Sequence, residues 1–266
     1  MTPAAPLGEV RRIADILLER VLSGTYPSGL RLPTETALAE EFTCGRSTIR
    51  EALGHLNDHG VVQSRRGSGA HVLDWRREGT PALLPVYVRL GQFDVGPAAL
   101  ADGLLRIRAM MACEAVRLAA LHGTEQSLLP AETYLLRGPS LESEPAEHTV
   151  NELEFYRALA QSSGIWPAVW MVNTMWAPMN QVNRIFAAAL GPVRSDYQKT
   201  MVKLFALVRA RNADAAVAHV QGWFHRVDKE LLRALERIVS ASPPVTLPHA
   251  AAARSKTPRA PRRGPR

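Results

Sequence analysis

The stretch Thr43-Cys44-Gly45-Arg46-Ser47-Thr48-Ile49-Arg50-Glu51-Ala52-Leu53 constrains the fold most. It follows a short helix signal, Thr34 to Phe42, across a tight turn that contains glycine. In it and just beyond, Ile49, Ala52, Leu53 and Leu56 fall at i, i+3, i+4 and i+7. That spacing turns one stripe inward and leaves Arg46, Ser47 and Arg50 outward at the start of a second helix. Two helices joined by a short turn, with cations and hydroxyls opening the second, predict a helix-turn-helix. The second helix of such a motif lies in the DNA major groove.

The next residues predict a wing. Val61-Val62 and His71-Val72-Leu73 are short β-like runs, and Arg65-Arg66-Gly67-Ser68-Gly69 is the turn between them. A hairpin with arginines at its tip can lay them on phosphates or in the minor groove. Ahead of the motif, Val10, Ile13, Ala14, Leu17 and Val21 form the inner stripe of a first helix near Gly8 to Ser23, which Gly24 ends.

Leu32-Pro33-Thr34-Glu35, the run Arg46 to Leu53 and the Gly67-Ser68-Gly69 wing resemble the DNA-binding domain of GntR-family bacterial transcription regulators. The resemblance covers roughly residues 8–73. It implies DNA contacts from Thr36, Arg46, Ser47, Thr48, Arg50, Arg65, Arg66 and Gly67. One departure stands out: the family usually has arginine where Thr36 stands, and threonine cannot make a bidentate guanine contact.

Net charge does not carry this reading. The chain's +7 divides into −1 over residues 1–75, +2 over 76–239 and +6 over 240–266. Bulk basicity is therefore a property of the tail, and the nucleic-acid argument rests on where Arg46, Arg50, Arg65 and Arg66 point. The tail, rich in Pro, Ala, Arg and Ser without apolar periodicity, reads as disordered: an auxiliary DNA-binding arm or a solvated terminus. No apolar run approaches the ~20 residues of a membrane span. No secretion-signal pattern opens the chain. Cys44 and Cys113 fall in separate predicted domains, which fits a reducing cytoplasm.

Asp74 to Pro85 reads as a linker, punctuated by Gly79 and Pro81. From Pro97 the strand signals vanish. Leu100, Leu104, Ile107, Met111, Ala115 and Leu118 trace one face of a long helix. Further helices are expected near 125–137, 146–162, 165–187, 196–212 and 214–239. The fold class is mainly α: a winged helix-turn-helix domain over 1–75, a linker and connecting helix over 76–96, an all-α antiparallel helical bundle over 97–239 and a basic tail over 240–266.

The helical half resembles the FCD/FadR-type effector domain of the same family. The resemblance rests on Arg108, on the run Glu152 to Ala160 and on the run Ala210 to Ala216. Many members hold a divalent metal with an aspartate and three histidines. The corresponding positions here are Glu152, Tyr156, Met201 and Trp223. Only Glu152 suits a hard or borderline cation, so no metal and no other cofactor is expected. His219 and His225 lie near these positions but a turn out of frame. Without a metal, Tyr156, Met201 and Trp223 would line an apolar pocket suited to an acyl chain or another apolar acid, with Arg108 pairing its carboxylate or phosphate. Met201 and Trp223 also read as plain core, and the Trp166, Trp170, Met171, Met175, Trp176, Met179 group reads as bundle core.

His55 and His59, four residues apart, read as solvated or capping residues rather than a zinc pair. Val217, Val220, Phe224, Val227, Leu231 and Ile238 read as the inward face of the last helix or a dimer seam. No catalytic constellation emerges. The function expected is a cytoplasmic homodimeric DNA-binding transcription regulator, working on a palindromic double-stranded operator under control of a small-molecule effector. The alternatives are a metal-dependent sensor of a small hydroxy or carboxylic acid, or a helical ligand-binding protein with a vestigial DNA head.

Overall fold

The computed structural model describes residues 7–65, 67–90, 96–190 and 193–241. Helix α1 (Leu7–Leu22) buries the predicted stripe, with Ile13 and Leu17 fully inside. Helix α2 (Glu35–Phe42) starts where Thr34 Oγ1 accepts the Ala37 amide at 3.2 Å. It ends on Thr43 in the left-handed region, φ 56°. Helix α3 (Arg46–Asp58) follows after Gly45 and buries Ile49, Ala52, Leu53 and Leu56. Strands β1 (Val62–Arg65) and β2 (Gly69–Val72) pair antiparallel, Val62 opposite Val72 and Arg65 opposite Gly69. The segment before α2 adds to the free edge of β2: Leu32 N donates to Ala70 O at 2.8 Å and Val72 N to Leu30 O at 2.9 Å. This is the winged helix-turn-helix, and its core joins Val10, Ile13, Leu17, Leu38, Ile49, Leu56, Val61 and Val72.

The expected linker is more ordered than its Gly and Pro suggest. Helix α4 (Trp75–Glu78), a 3₁₀ turn (Pro81–Leu83) and helix α5 (Leu84–Leu90) occupy it. Proline at the first position of the turn begins a helical segment as readily as it ends one. Helix α5 touches both halves. Arg89 pairs with Asp15 of α1 at 3.2 Å, and Val88 packs with Leu104 and Val182.

The second half is all helical: α6 (Pro97–His122), α7 (Glu125–Arg137), α8 (Pro145–Ser162), α9 (Trp166–Leu190), α10 (Tyr197–Arg209) and α11 (Ala213–Ala241). A Thr124–Ser127 capping box opens α7. The core runs through Val116 and Ala120 of α6, Leu128 and Ala131 of α7, Phe155 and Leu159 of α8, Met201 and Leu204 of α10, and Val220 and Phe224 of α11. Val217, Val220 and Phe224 are buried within this one chain, so the last helix's stripe is its inward face; the side chain of Ile238 lies outside the described residues.

The tryptophan cluster departs from expectation. Trp166, Trp170 and Met171 are exposed, whereas Met175, Trp176 and Met179 turn inward. Positions 166 and 170 lie one turn apart on one exposed stripe of α9. Residue type suggested a single core, but helical phase divides the group. Residues 242–266 of the predicted tail and Arg66 lie outside the described residues; positions 240 and 241 end α11.

Candidate DNA-binding face and effector cavity

Buried Ile49, Leu53 and Leu56 fix the rotation of α3, which leaves Arg46, Ser47 and Arg50 exposed. Arg50 is held by Glu35 of α2 through two bonds, Nε to Oε1 at 3.1 Å and Nη2 to Oε2 at 2.7 Å. The guanidinium pulls the Glu35 carboxyl below its ordinary pKa. Glu35 also lines a groove of about 350 Å³ bounded by Arg31, Thr34, Arg65, Gly67 and Gly69. Glu35 thus links the exposed Arg50 of α3 to a groove that the exposed wing residues Arg65 and Gly67 also line. Thr36 is exposed on the first turn of α2.

Thr48 does not join them. It is 3% exposed, so its hydroxyl is not presented to a duplex. Its place beside Ile49, one turn before Ala52, puts it on the flank of the buried stripe. Arg65 Nε donates to Gln63 Oε1 at 3.1 Å, and Ser68 Oγ lies 2.8 Å from His71 Nε2, which orders the described part of the wing. His59 caps α3, its Nδ1 2.5 Å from the His55 carbonyl oxygen.

In the helical half, a cavity of about 340 Å³ opens between α6, α8, α10 and α11. Arg108, Glu152 and Trp223, three of the predicted effector residues, line it. Tyr156 instead lines a smaller slot of about 50 Å³ with Arg108, Met175, Trp176 and Met179. Met201 lines neither; it is 1% exposed and accepts the Tyr156 hydroxyl on its sulfur at 3.6 Å. The apolar Met–Trp–Tyr pocket expected from the sequence is therefore corrected. The larger cavity is mixed, with His148, Arg194, Glu230 and Arg237 beside Tyr197, Trp223 and Phe224.

Its polar groups are perturbed. Arg108 pairs with Asp228 of α11 and stacks 4.6 Å from the Phe224 ring centroid, yet its Nε is buried without a partner. Burial raises the Asp228 carboxyl against the downward pull of Arg108. Burial likewise raises Glu152, again opposed by Arg108. His148 sits edge-on to Tyr197 at 4.3 Å with its Nε2 unpartnered, and burial lowers its pKa. His148, Tyr197 and Asp228 escaped the sequence reading. The i, i+4 spacing of His148 and Glu152 on one helix face was the available signal.

The four metal positions of FCD relatives do come close together, but their side chains do not fit a metal. Tyr156 and Met201 satisfy each other, Trp223 offers no lone pair, and only Glu152 is a competent ligand. Among the described residues, no group of three His, Cys, Asp or Glu side chains could hold an ion.

The gntR family of bacterial regulatory proteins matches residues 9–72, and the FCD domain matches residues 103–226. The HTH-type transcriptional regulator Mce2R of Mycobacterium tuberculosis is 31% identical over 185 residues, covering 67% of this chain and 75% of its own. The chain belongs to the GntR family and carries an FCD domain. Another mycobacterial HTH-type transcriptional regulator, from M. tuberculosis H37Rv, is 36% identical over 115 residues; that match covers 43% of this chain and about half, 46%, of the relative's length. A solved structure of Lar, which controls expression of the Listeria monocytogenes agr system, shares the fold at 18% identity. It covers 87% of this chain and 99% of its own, with a TM-score of 0.58. The family and these relatives are transcription regulators, not enzymes.

Proposed function

We propose that this GntR-family chain is a transcription regulator whose winged helix binds double-stranded DNA and whose FCD domain takes a small-molecule effector without a metal. One observation supports the DNA half: Arg46, Ser47 and Arg50 are exposed at the start of α3, and Glu35, which holds Arg50, lines a groove with the exposed wing residues Arg65 and Gly67. Arg46, Ser47 and Arg50 enter the major groove or rest on its phosphates, and the wing approaches the minor groove. One such head reads few base pairs, so a homodimer on a palindromic operator, in the cytoplasm, supplies the remaining specificity.

The effector occupies the cavity bounded by Arg108, His148, Glu152 and Trp223. Its aromatic wall and cationic rim suit an acid with an apolar body, an acyl chain included. Affinity for a random duplex measured against salt concentration tests the DNA half. A log–log slope of several units is expected, and a slope near zero refutes it. Mass spectrometry of co-purifying molecules together with elemental analysis tests the other half. Stoichiometric zinc, manganese or iron would refute metal independence.

A further inference from the structure

We infer that the groove between α2 and the wing is a binding site for one DNA backbone phosphate, and that Arg31 is the residue that holds it. The inference rests on the DNA-binding reading above and deepens it. With α3 in the major groove and the wing tip at the minor groove, the sugar–phosphate strand dividing the two grooves must cross between them. The molecule provides a passage there: the 350 Å³ groove, with Arg31 and Thr34 on one side and Ser64, Arg65 and Gly67 on the other.

Arg31 is built into that passage. Its neighbours Leu30 and Leu32 bond to β2, and Leu32 is buried, so strand alternation turns Arg31 outward. Its guanidinium lies across the wing at Gly69, where a Cβ would meet Nε at 3.2 Å. Gly69 itself has φ +83°, a conformation that keeps this position free of a side chain. Among the described residues Arg31 forms no ion pair, whereas Arg20 and Arg50 are each held by a carboxylate. The Glu35 carboxylate also faces the groove, but its two bonds to Arg50 neutralise it, so it does not repel an incoming phosphate. An unpaired cation at a cleft beside the reading helix suits a phosphodiester, which carries charge and no sequence information.

The test compares salt slopes on one random-sequence duplex for the full chain, Arg31→Ala, Arg31→Lys and Arg137→Ala. Arg137 is an exposed cation at the end of α7 and serves as control. Arg31→Ala should lower the slope by about 0.9, the value of one phosphate contact, or about 3.5-fold in affinity between 50 and 200 mM salt. Arg31→Lys should keep the slope, because a phosphate needs the charge and not the fork. Arg137→Ala should leave it unchanged. An unaltered slope in Arg31→Ala, an Arg31→Lys slope as low as that of alanine, or an equal fall in Arg137→Ala overturns the assignment. A full chain with no salt-dependent binding sinks the DNA-binding reading itself.

Discussion

Removing Asp228 should destabilise the protein more than the net value of its ion pair suggests. Asp228 and Arg108 have side-chain exposures of 17% and 18%, so both charges are largely out of water. Burial raises the Asp228 carboxyl even though Arg108 pulls it down. Desolvation therefore outweighs attraction, and the intact pair is close to neutral in stability. Asp228→Ala leaves Arg108 charged, its Nε already unpartnered, against Phe224. Orphaning one member of a fully buried pair costs about 3–5 kcal/mol, and the residual water access here reduces that to about 2–3. For a chain of this size that is about 4–12 °C in Tm. Arg108→Met with Asp228→Leu removes both charges and leaves an apolar side chain against Phe224, and should lose less than about 1 kcal/mol. Urea titrations followed by circular dichroism read all three proteins. The reasoning fails if Asp228→Ala lies within about 0.5 kcal/mol of the parent, or if the double variant is the least stable of the set.

Arg46→Ala should weaken specific operator binding by about 1–3 kcal/mol if Arg46 reads a base, measured by gel-shift titration; unchanged affinity removes it from the interface. The buried His148 imidazole has a lowered pKa, so the unfolded chain takes up its proton first as pH falls through about 6.5. Stability should drop on that acid limb, and His148→Gln should flatten it in melts compared at pH 7.5 and 5.5. Glu152 has the opposite sign of shift: burial raises its pKa, so the folded state bears a desolvation cost above that value. Glu152→Gln should be more stable than the parent at pH 7 and converge with it below the ordinary glutamate pKa, about 4.3. A Gly60→Ala side chain would sit 2.1 Å from the Glu78 carbonyl oxygen at φ +71°, a backbone collision that should cost about 3 kcal/mol or more in chemical denaturation.

Periodicity made the element order legible, because each apolar stripe has a single helical or extended phase that buries it. The α3 stripe of Ile49, Ala52, Leu53 and Leu56 shows this most plainly. Exposure of Arg46 and Arg50 followed from the same phase. The burial of Thr48 did not, because a hydroxyl residue beside the stripe can turn either way until the preceding turn is fixed. That turn takes its left-handed residue at Thr43, not at Gly45 two positions on, which no local propensity dictates. The helical half was legible in outline and illegible in its cavity. Arg108 called for a partner, but Asp228 lies 120 residues away, and only the packing of α11 on α6 joins them. Nothing in the sequence joins His148 to Tyr197, a contact that comes from the packing of α10 on α8.

The departures from the family's metal pattern fit one another. Tyr156 carries a hydroxyl that needs an acceptor once it is buried, and Met201 brings a polarizable sulfur to it. Trp223 extends the aromatic contacts through Tyr197 at 5.9 Å, beside Glu152 on the cavity wall. A bound cation would hold an effector's acid group by its own charge. Here the comparable positive charge is the Arg108 guanidinium, already engaged by Asp228. An acidic effector that takes Arg108, rather than Arg194 or Arg237 on the same cavity, must compete with that carboxylate. Success would loosen α11 from α6 by as much as the effector favours the freed arginine over the engaged one.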